Sequence, residues 1–525
     1  MSKFNTATGR TSTGPIEVSS TPDTITAEGG AGYSRSAKSD LFLLAVTNMV
    51  GTDTFYEGAT ERDARFRDLI HAVAPANVEW MKGFIGWLRD SANMRSASVV
   101  AAAETAKAML DAGIAGSRPI VSSALKRPDE PGEMLAYWTS RYGRAIPKPV
   151  KRGIADAVQR LYTERAILKY DGATKGYRFG DVLDLTHPDA SAPWQGDLFK
   201  YALDRRHNRT EIVIPESLTM LRNRAALAEL PKEERRKFVI AAAVHGDNYA
   251  KKMLADSGMT WESLAGWLDG PMDKAAWTAI IPSMGYMALL RNLRNFDEAG
   301  VSDEVAATVI AKLTDPDEIT RSRQLPMRFL SAYKAAPSLR WAAALEKALD
   351  LSLVNVPSLS GRSLILWDCS GSMYDRLGGR SALERHEVAG VFCGALALRA
   401  ESATLVQFGT GSQPIQVSKG GAILKLATSS KNMGGTYTWE AVRKHFSGHN
   451  RVIIVTDEQT ADASLASGVP LSVPVYTWNV AGYSASHAGA GKNRWTFGGL
   501  TDKGFEQLKI IEAGAVGRWP WESGA

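Results

Sequence analysis

The stretch Ser363-Leu364-Ile365-Leu366-Trp367-Asp368-Cys369-Ser370-Gly371-Ser372-Met373 decides how the C-terminal third of the chain folds. A short run of large apolar residues ended by turn residues reads as a strand buried on both faces. It runs straight into an acid, two alternate hydroxyls and a glycine. In open parallel sheets, ligands sit in the loops at the carboxyl ends of the strands, which is where this loop falls. Asp368, Ser370 and Ser372 can project oxygen from one tight turn relieved by Gly371, and hard divalent cations take oxygen ligands.

Two further loops supply matching chemistry: Gly434-Gly435-Thr436 before a helix, and Asp457 after the strand Val452–Thr456. Two carboxylates and three hydroxyls leave at least one octahedral position for water or for the acidic side chain of a protein partner, and Mg²⁺ is the abundant octahedral ion. Asp368, Ser370, Ser372, Thr436 and Asp457 resemble the metal-ion-dependent adhesion site of von Willebrand factor A domains, in which Asp-x-Ser-x-Ser is followed by a distant Thr and a distant Asp. The plainer reading of Asp368 to Ser372 as an ordinary turn does not account for Thr436 and Asp457 in the right order. Cys369 reads as a small buried residue, not a reactive thiol. An aspartyl-phosphatase reading fails because the second acid it needs is Ser370, and no general base stands beside the acids. No Cys/His cluster or Walker loop occurs. The chain is expected not to be an enzyme.

Outward from this loop, apolar runs at Ala403–Phe408, Arg451–Thr456 and Val473–Trp478 alternate with helical stretches at Arg385–Arg399, Thr438–Phe446 and Asp502–Glu512. Such alternation predicts a doubly wound, mainly parallel sheet over residues 356–525. Upstream, from Leu41 to Leu353, apolar residues recur at helical spacing, as in Phe66, Leu69, Ile70 and Val73, or Trp80, Phe84, Trp87 and Leu88. Breaks at Ala74-Pro75, Pro128 to Gly132 and Gly270-Pro271 suit helices stacked in pairs, so residues 39–355 read as an α-solenoid without a countable period. Residues 1–38, rich in Ser, Thr, Gly and Pro, read as a flexible arm pinned by Tyr33.

With 525 residues the chain exceeds one hydrophobic core. At 44% hydrophobic and 22% charged it has globular composition. The net charge of +6 is spread over both parts, so any RNA site must come from local clusters. Only two cysteines, no apolar leader and no membrane-length run point to a reducing, cytoplasmic setting.

A helical array followed by such a domain narrows the field. Asp53-Thr-Phe-Tyr-Glu57, Ala92-Asn-Met-Arg-Ser-Ala97, Lys175 to His187-Pro188, Met287 to Leu293 and Thr496 to Asp502 resemble the TROVE family, which includes the Ro ribonucleoprotein autoantigen and its bacterial relatives. The resemblance runs from about Gly32 to Trp521 and implies a ring of HEAT-like helical repeats joined to the A domain. It implies a scaffold binding Y-like RNA and the single-stranded ends of misfolded noncoding RNA, linked in bacteria to polynucleotide phosphorylase or another ribonuclease. Family positions carry over to Lys169 and His187. Lys175, after a one-residue insertion, stands where the family has arginine, so a point charge replaces bidentate geometry. Further RNA candidates are Lys148, Lys151, Arg152 and Arg291, with Arg235, Arg236, Lys237 and Arg294 as similar clusters. Each group reads equally as a solvated helix face, and His187 as a structural histidine. The competing function is a metal-dependent protein-adhesion module without RNA binding.

Overall fold

The apolar run Leu364 to Trp367 lies inside a six-stranded sheet. The computed structural model describes residues 14–522 apart from 48–49, 208–211, 323, 325, 354–355, 378–380, 418–422, 463–467, 492, 501–504, 506–507, 509–510 and 512–517. Among these residues the strands are β1 (Thr24–Ile25), β2 (Ala31–Gly32), β3 (Leu359–Asp368), β4 (Ala400–Phe408), β5 (Ser412–Ile415), β6 (Arg451–Thr456), β7 (Val475–Asn479) and β8 (Arg494–Gly498). The order in the large sheet is β5-β4-β3-β6-β7-β8, parallel throughout except for the antiparallel edge strand β5. Strand order reverses about β3, which has β4 on one side and β6 on the other, so the crevice where ligands bind opens at the end of β3.

Both faces are covered. Leu364 and Leu366 join Val406, Phe408, Val452 and Ile454 against Trp439 and Val442 of the helix Thr438–His445. Trp367, one residue along and therefore on the opposite face, donates its indole N–H to the His386 carbonyl (2.8 Å) in the helix Arg385–Arg399. The doubly wound, mainly parallel sheet read from the sequence is present. The edge strand β5 and the strand β8 add to the three downstream strands that were expected. The helix expected over Asp502–Glu512 falls largely outside the described residues, although Phe505 and Leu508 are buried.

The chain divides into two compact units, one of residues 1–97, 324–331 and 349–525, the other of residues 98–323 and 332–348. The described residues up to Ala97 fall in the same unit as the sheet. The helix Ala37–Thr47 is buried from Leu41 to Thr47 and has no polar face to give to water. It lies against β8, so close that a Cβ on Gly498 would stand 2.6 Å from Leu43 Cδ2. The aromatic residues Phe42, Trp80, Phe84 and Trp87 gather around Trp519 and Trp521.

A mobile arm is likewise not what residues 14–36 form. β1 and β2 make a small antiparallel hairpin, Tyr33 bridges to Ser486, and Arg35 makes an ion pair with Glu458 in which both side chains are fully buried. Burying that guanidinium ties the segment down, and the expected pin at Tyr33 is one of several. Residues 1–13 lie outside the described part.

The second unit is helical. Helices pack in pairs, some of them neighbours in sequence, as Phe179–Thr186 with Pro193–Arg206, and some not, as Ser117–Ala124 with Lys148–Leu161 across the intervening helix Glu130–Tyr142. Glycine permits the closest approach: a Cβ at Gly153 would meet the Arg118 carbonyl at 2.7 Å. Among the described residues no helix is long and apolar enough to cross a membrane.

Candidate metal centre and basic helical surface

Three strand-end loops meet at the crevice. After β3, the Cys369 carbonyl accepts from Met433 N–H (2.8 Å), and Gly371 N–H donates to the Gly434 carbonyl (2.7 Å). Gly434 adopts φ +82°, a left-handed conformation natural to glycine, and Gly435 N–H donates to Thr410 Oγ1 (2.9 Å). After β6, Ala461 N–H and Thr460 Oγ1 both donate to the Thr436 carbonyl, at 2.8 and 3.1 Å. Thr456 Oγ1 donates to Asp368 Oδ2 (2.6 Å), tying the ends of β3 and β6 together.

The five residues read as metal ligands are thus brought to one place and are almost wholly buried: Asp368, Thr436 and Asp457 at 0%, Ser370 at 1% and Ser372 at 3% exposure. Ser370 and Ser372 hydroxyls lie 3.4 Å apart, and Ser370 N–H donates to Asp368 Oδ1 (2.9 Å). Burial, reinforced by the neighbouring Asp457 charge, pushes the Asp368 carboxyl up to about 7. Burial likewise raises Asp457, against the pull of the Ser372 hydroxyl and the Gln459 N–H. Two atoms, Thr436 Oγ1 and Asp457 Oδ2, are buried without a hydrogen-bond partner.

Two acids desolvated side by side, with an orphan hydroxyl and an orphan carboxylate oxygen between the same loops, are costly for the protein alone. A hard divalent cation would relieve both costs, so the donor set fits such an ion. Among the described residues no three of His, Cys, Asp and Glu group as a metal site; here two carboxylates are completed by hydroxyls. Cys369 is buried and its thiol is pushed far up by desolvation, an inert packing residue.

Two nearby residues escaped the sequence reading. Tyr56 donates its phenol to Glu28 Oε1 (2.5 Å), and burial together with that bond raises its ionisation above the ordinary value; the Asp457 charge and the Ser372 hydroxyl also act on it. Glu28 Oε2 stands 4.0 Å from where a Gly435 Cβ would be. The only signal in the sequence was the segment Asp53 to Glu57, singled out above for a different reason.

The basic candidates lie in the helical unit. Lys148, Lys151 and Arg152 stand at i, i+3 and i+4 of the helix Lys148–Leu161, so they share one side of it. Lys148 and Arg152 are exposed and Lys151 half-buried. Exposed Lys169 holds its Nζ 5.3 Å from the centroid of the Tyr170 ring, which Arg127 also approaches at 5.5 Å. Lys175 is exposed at the rim of a small pocket shared with Tyr170 and Tyr177. His187 is exposed as the left-handed C-cap of the helix Phe179–Thr186 (φ 46°), so it is not a buried structural histidine. Arg291 is exposed at the end of the helix Tyr286–Arg291.

Among the described residues, none of Lys148, Lys151, Arg152, Lys169, Lys175 and Arg291 forms a salt bridge. The second cluster differs. Arg236 pairs with Asp273 (2.7 Å), Lys237 with Glu234 (2.9 Å), and Arg235 donates to the carbonyls of Leu230 and Trp267. Arg294 pairs with Glu298 (2.9 Å). These cations are consumed within the fold. Asp171, in the segment with the inserted residue, is buried between Arg178 (3.1 Å) and Arg205 (3.4 Å).

Residues 240–340 of this helical unit match the model of the TROVE domain. Over 220 residues it is 26% identical to the RNA-binding protein RO60 of Caenorhabditis elegans, an alignment covering 37% of this chain and 32% of that protein. The chain thus spans about a third of the length of the curated relative it matches. The fold resembles the crystal structure of the Deinococcus radiodurans RO (RSR) protein, with a TM-score of 0.56 at 18% identity, over 88% of this chain and 96% of that one. At that identity the likeness is one of fold.

Proposed function

We propose that this chain is an RNA-binding scaffold of the Ro type, holding noncoding RNA on its helical unit. The observation that supports the reading best is the contrast among its basic residues. Among the described residues Lys148, Lys151, Arg152, Lys169, Lys175 and Arg291 have no acidic partner, and all but the half-buried Lys151 are exposed to phosphate, whereas Arg235, Arg236 and Lys237 are occupied. Tyr170, flanked by Arg127 and Lys169, offers a ring on which an unpaired base can stack. The similarity to an RNA-binding protein over the aligned part favours the same partner.

Within that reading the RNA is Y-like or single-stranded and misfolded, the setting is RNA quality control, and a ribonuclease such as polynucleotide phosphorylase is a partner, not an activity of this chain. A divalent cation, Mg²⁺ in the cell, sits at Asp368, Ser370, Ser372, Thr436 and Asp457 and braces three loops without catalysing a reaction. The adhesion-module alternative is disfavoured by the depth of those donors, none of which is more than 3% exposed.

Filter binding of a labelled single-stranded RNA across a salt series tests the proposal. Affinity should fall log-linearly with salt, and replacing Lys148, Lys151 and Arg152 together by Gln should weaken binding and reduce the salt slope by about 2–3. The triple replacement Arg235, Arg236, Lys237→Gln is the comparison, expected to lower stability more than RNA affinity. Binding that is indifferent to the first triple replacement would remove that helix from the interface, and no retention of RNA at low salt would sink the reading.

A further inference from the structure

The metal centre read from the sequence leaves a coordination position for a partner's acidic side chain, yet its donors are closed off from solvent. The chain's own N-terminal segment lies beside the centre. The turn between β1 and β2 is seated on the loop after β6: Thr26 Oγ1 donates to the Thr460 carbonyl (2.6 Å), and Ala27 N–H donates to Gln459 Oε1 (2.8 Å). Gly30 allows the approach, since a Cβ there would lie 2.3 Å from the Thr460 carbonyl oxygen. Gln459 in turn donates its backbone N–H to Asp457 Oδ1 (3.0 Å), so the turn is braced one residue pair away from a proposed metal ligand. At the tip of that turn stands Glu28, held by the Tyr56 hydroxyl and lying over Gly435, beside Thr436.

We propose that Glu28 is an internal carboxylate ligand of the cation at this centre, filling from within the chain the position that would otherwise take a partner's acid. The inference rests on the metal reading above. Three observations carry it: the orphan buried atoms Thr436 Oγ1 and Asp457 Oδ2, which mark where a cation is wanted; the docking of the turn on the very loop that carries Asp457; and the exposure of Glu28, whose only hydrogen bond among the described residues is to Tyr56. A third carboxylate balances a divalent ion more fully than two and raises its affinity. Cation binding then fastens the N-terminal segment to the sheet, and a partner's acid must displace Glu28 to reach the ion.

Mn²⁺ serves as the probe, with the full chain, by calorimetry and by water-proton relaxation. Wild type should bind Mn²⁺, and Asp457→Ala should lose binding. Glu28→Gln, at an exposed position that leaves folding intact, should bind about 10-fold or more weakly and gain one rapidly exchanging water on the ion. Millimolar acetate should restore affinity to Glu28→Gln and leave wild type unchanged. If Glu28→Gln matches wild type in affinity and relaxation while Asp457→Ala fails, the internal ligand is refuted and the metal centre stands. If wild type itself does not bind Mn²⁺ at millimolar concentration, the metal centre and the internal ligand fall together.

Discussion

Asp457 and Glu458 are neighbours with opposite tasks. Asp457 keeps an oxygen without a protein partner, whereas Glu458 is saturated by Arg35, Asn479 and Ser486, with His487 3.8 Å away. Glu458 achieves this at φ +66°, a left-handed backbone that turns adjacent carboxylates in different directions. His487 is fully buried, accepts or donates one hydrogen bond with Thr477 (2.9 Å) and packs on Trp439. Burial pushes its ionisation down from 6.5 to about 4. At this ring the folded state therefore resists a proton that the unfolded chain takes up, so the contribution of His487 to stability is full above pH 6.5 and declines as pH falls toward about 4. The size of the loss is on the order of 3 kcal/mol. Glu458, which Arg35 and His487 hold below its ordinary 4.5 against the effect of burial, adds its own loss only below that value. Asp368, whose ionisation burial raises to about 7, acts with the opposite sign over the same range. The check is therefore the difference between wild type and His487→Gln in urea unfolding from pH 7 to 4.5: the stability of wild type relative to the variant should shrink as pH falls, and a difference that does not change with pH would contradict the assignment.

At the scale of elements, the contact between β3 and the helix Arg385–Arg399 holds the metal-centre loop in place. Gly390 is the point of closest approach: a Cβ there would stand 2.5 Å from Trp367 Cζ2 and 2.9 Å from the Ala427 Cα. Alanine is the better helix former by about 1 kcal/mol, but overpacking a tight core costs about 1–3 kcal/mol. The backbone of Ala427 cannot swing aside as a side chain would, so the steric cost wins. Gly390→Ala should lower the melting temperature of the protein, with Mn²⁺ affinity reduced because Asp368 follows Trp367 directly. A melting temperature equal to or above wild type would show that the helix can shift to accept the methyl group.

For the whole molecule, two compact units, each with its own proposed ligand, predict two separable responses. A ligand that binds only the folded form stabilises by about 2.7 kcal/mol at a hundred times its dissociation constant. Mg²⁺ should raise the unfolding temperature of the unit containing the sheet and residues 1–97, and single-stranded RNA that of the helical unit. Scanning calorimetry with each ligand alone checks this. One transition that moves as a whole with either ligand would mean that the units unfold together.

The sequence alone determined what local pattern encodes. Unbroken apolar runs such as Leu364 to Trp367 read as buried strands because a parallel sheet dries both faces, and the chemistry at their ends marked Asp368, Ser370, Ser372, Thr436 and Asp457 before any of their distances were known. Tertiary structure alone decided which charges are free: the Lys148 and Arg235 clusters look alike as strings, and only the position of Asp273, Glu234 and the Trp267 carbonyl separates them. It also decided that a polar, glycine-rich N-terminal segment is docked, not mobile, and that Glu28 and Tyr56 reach a site built more than three hundred residues later. Spacing along a chain carries no record of such long-range pairings, because they depend on which surfaces packing leaves next to one another.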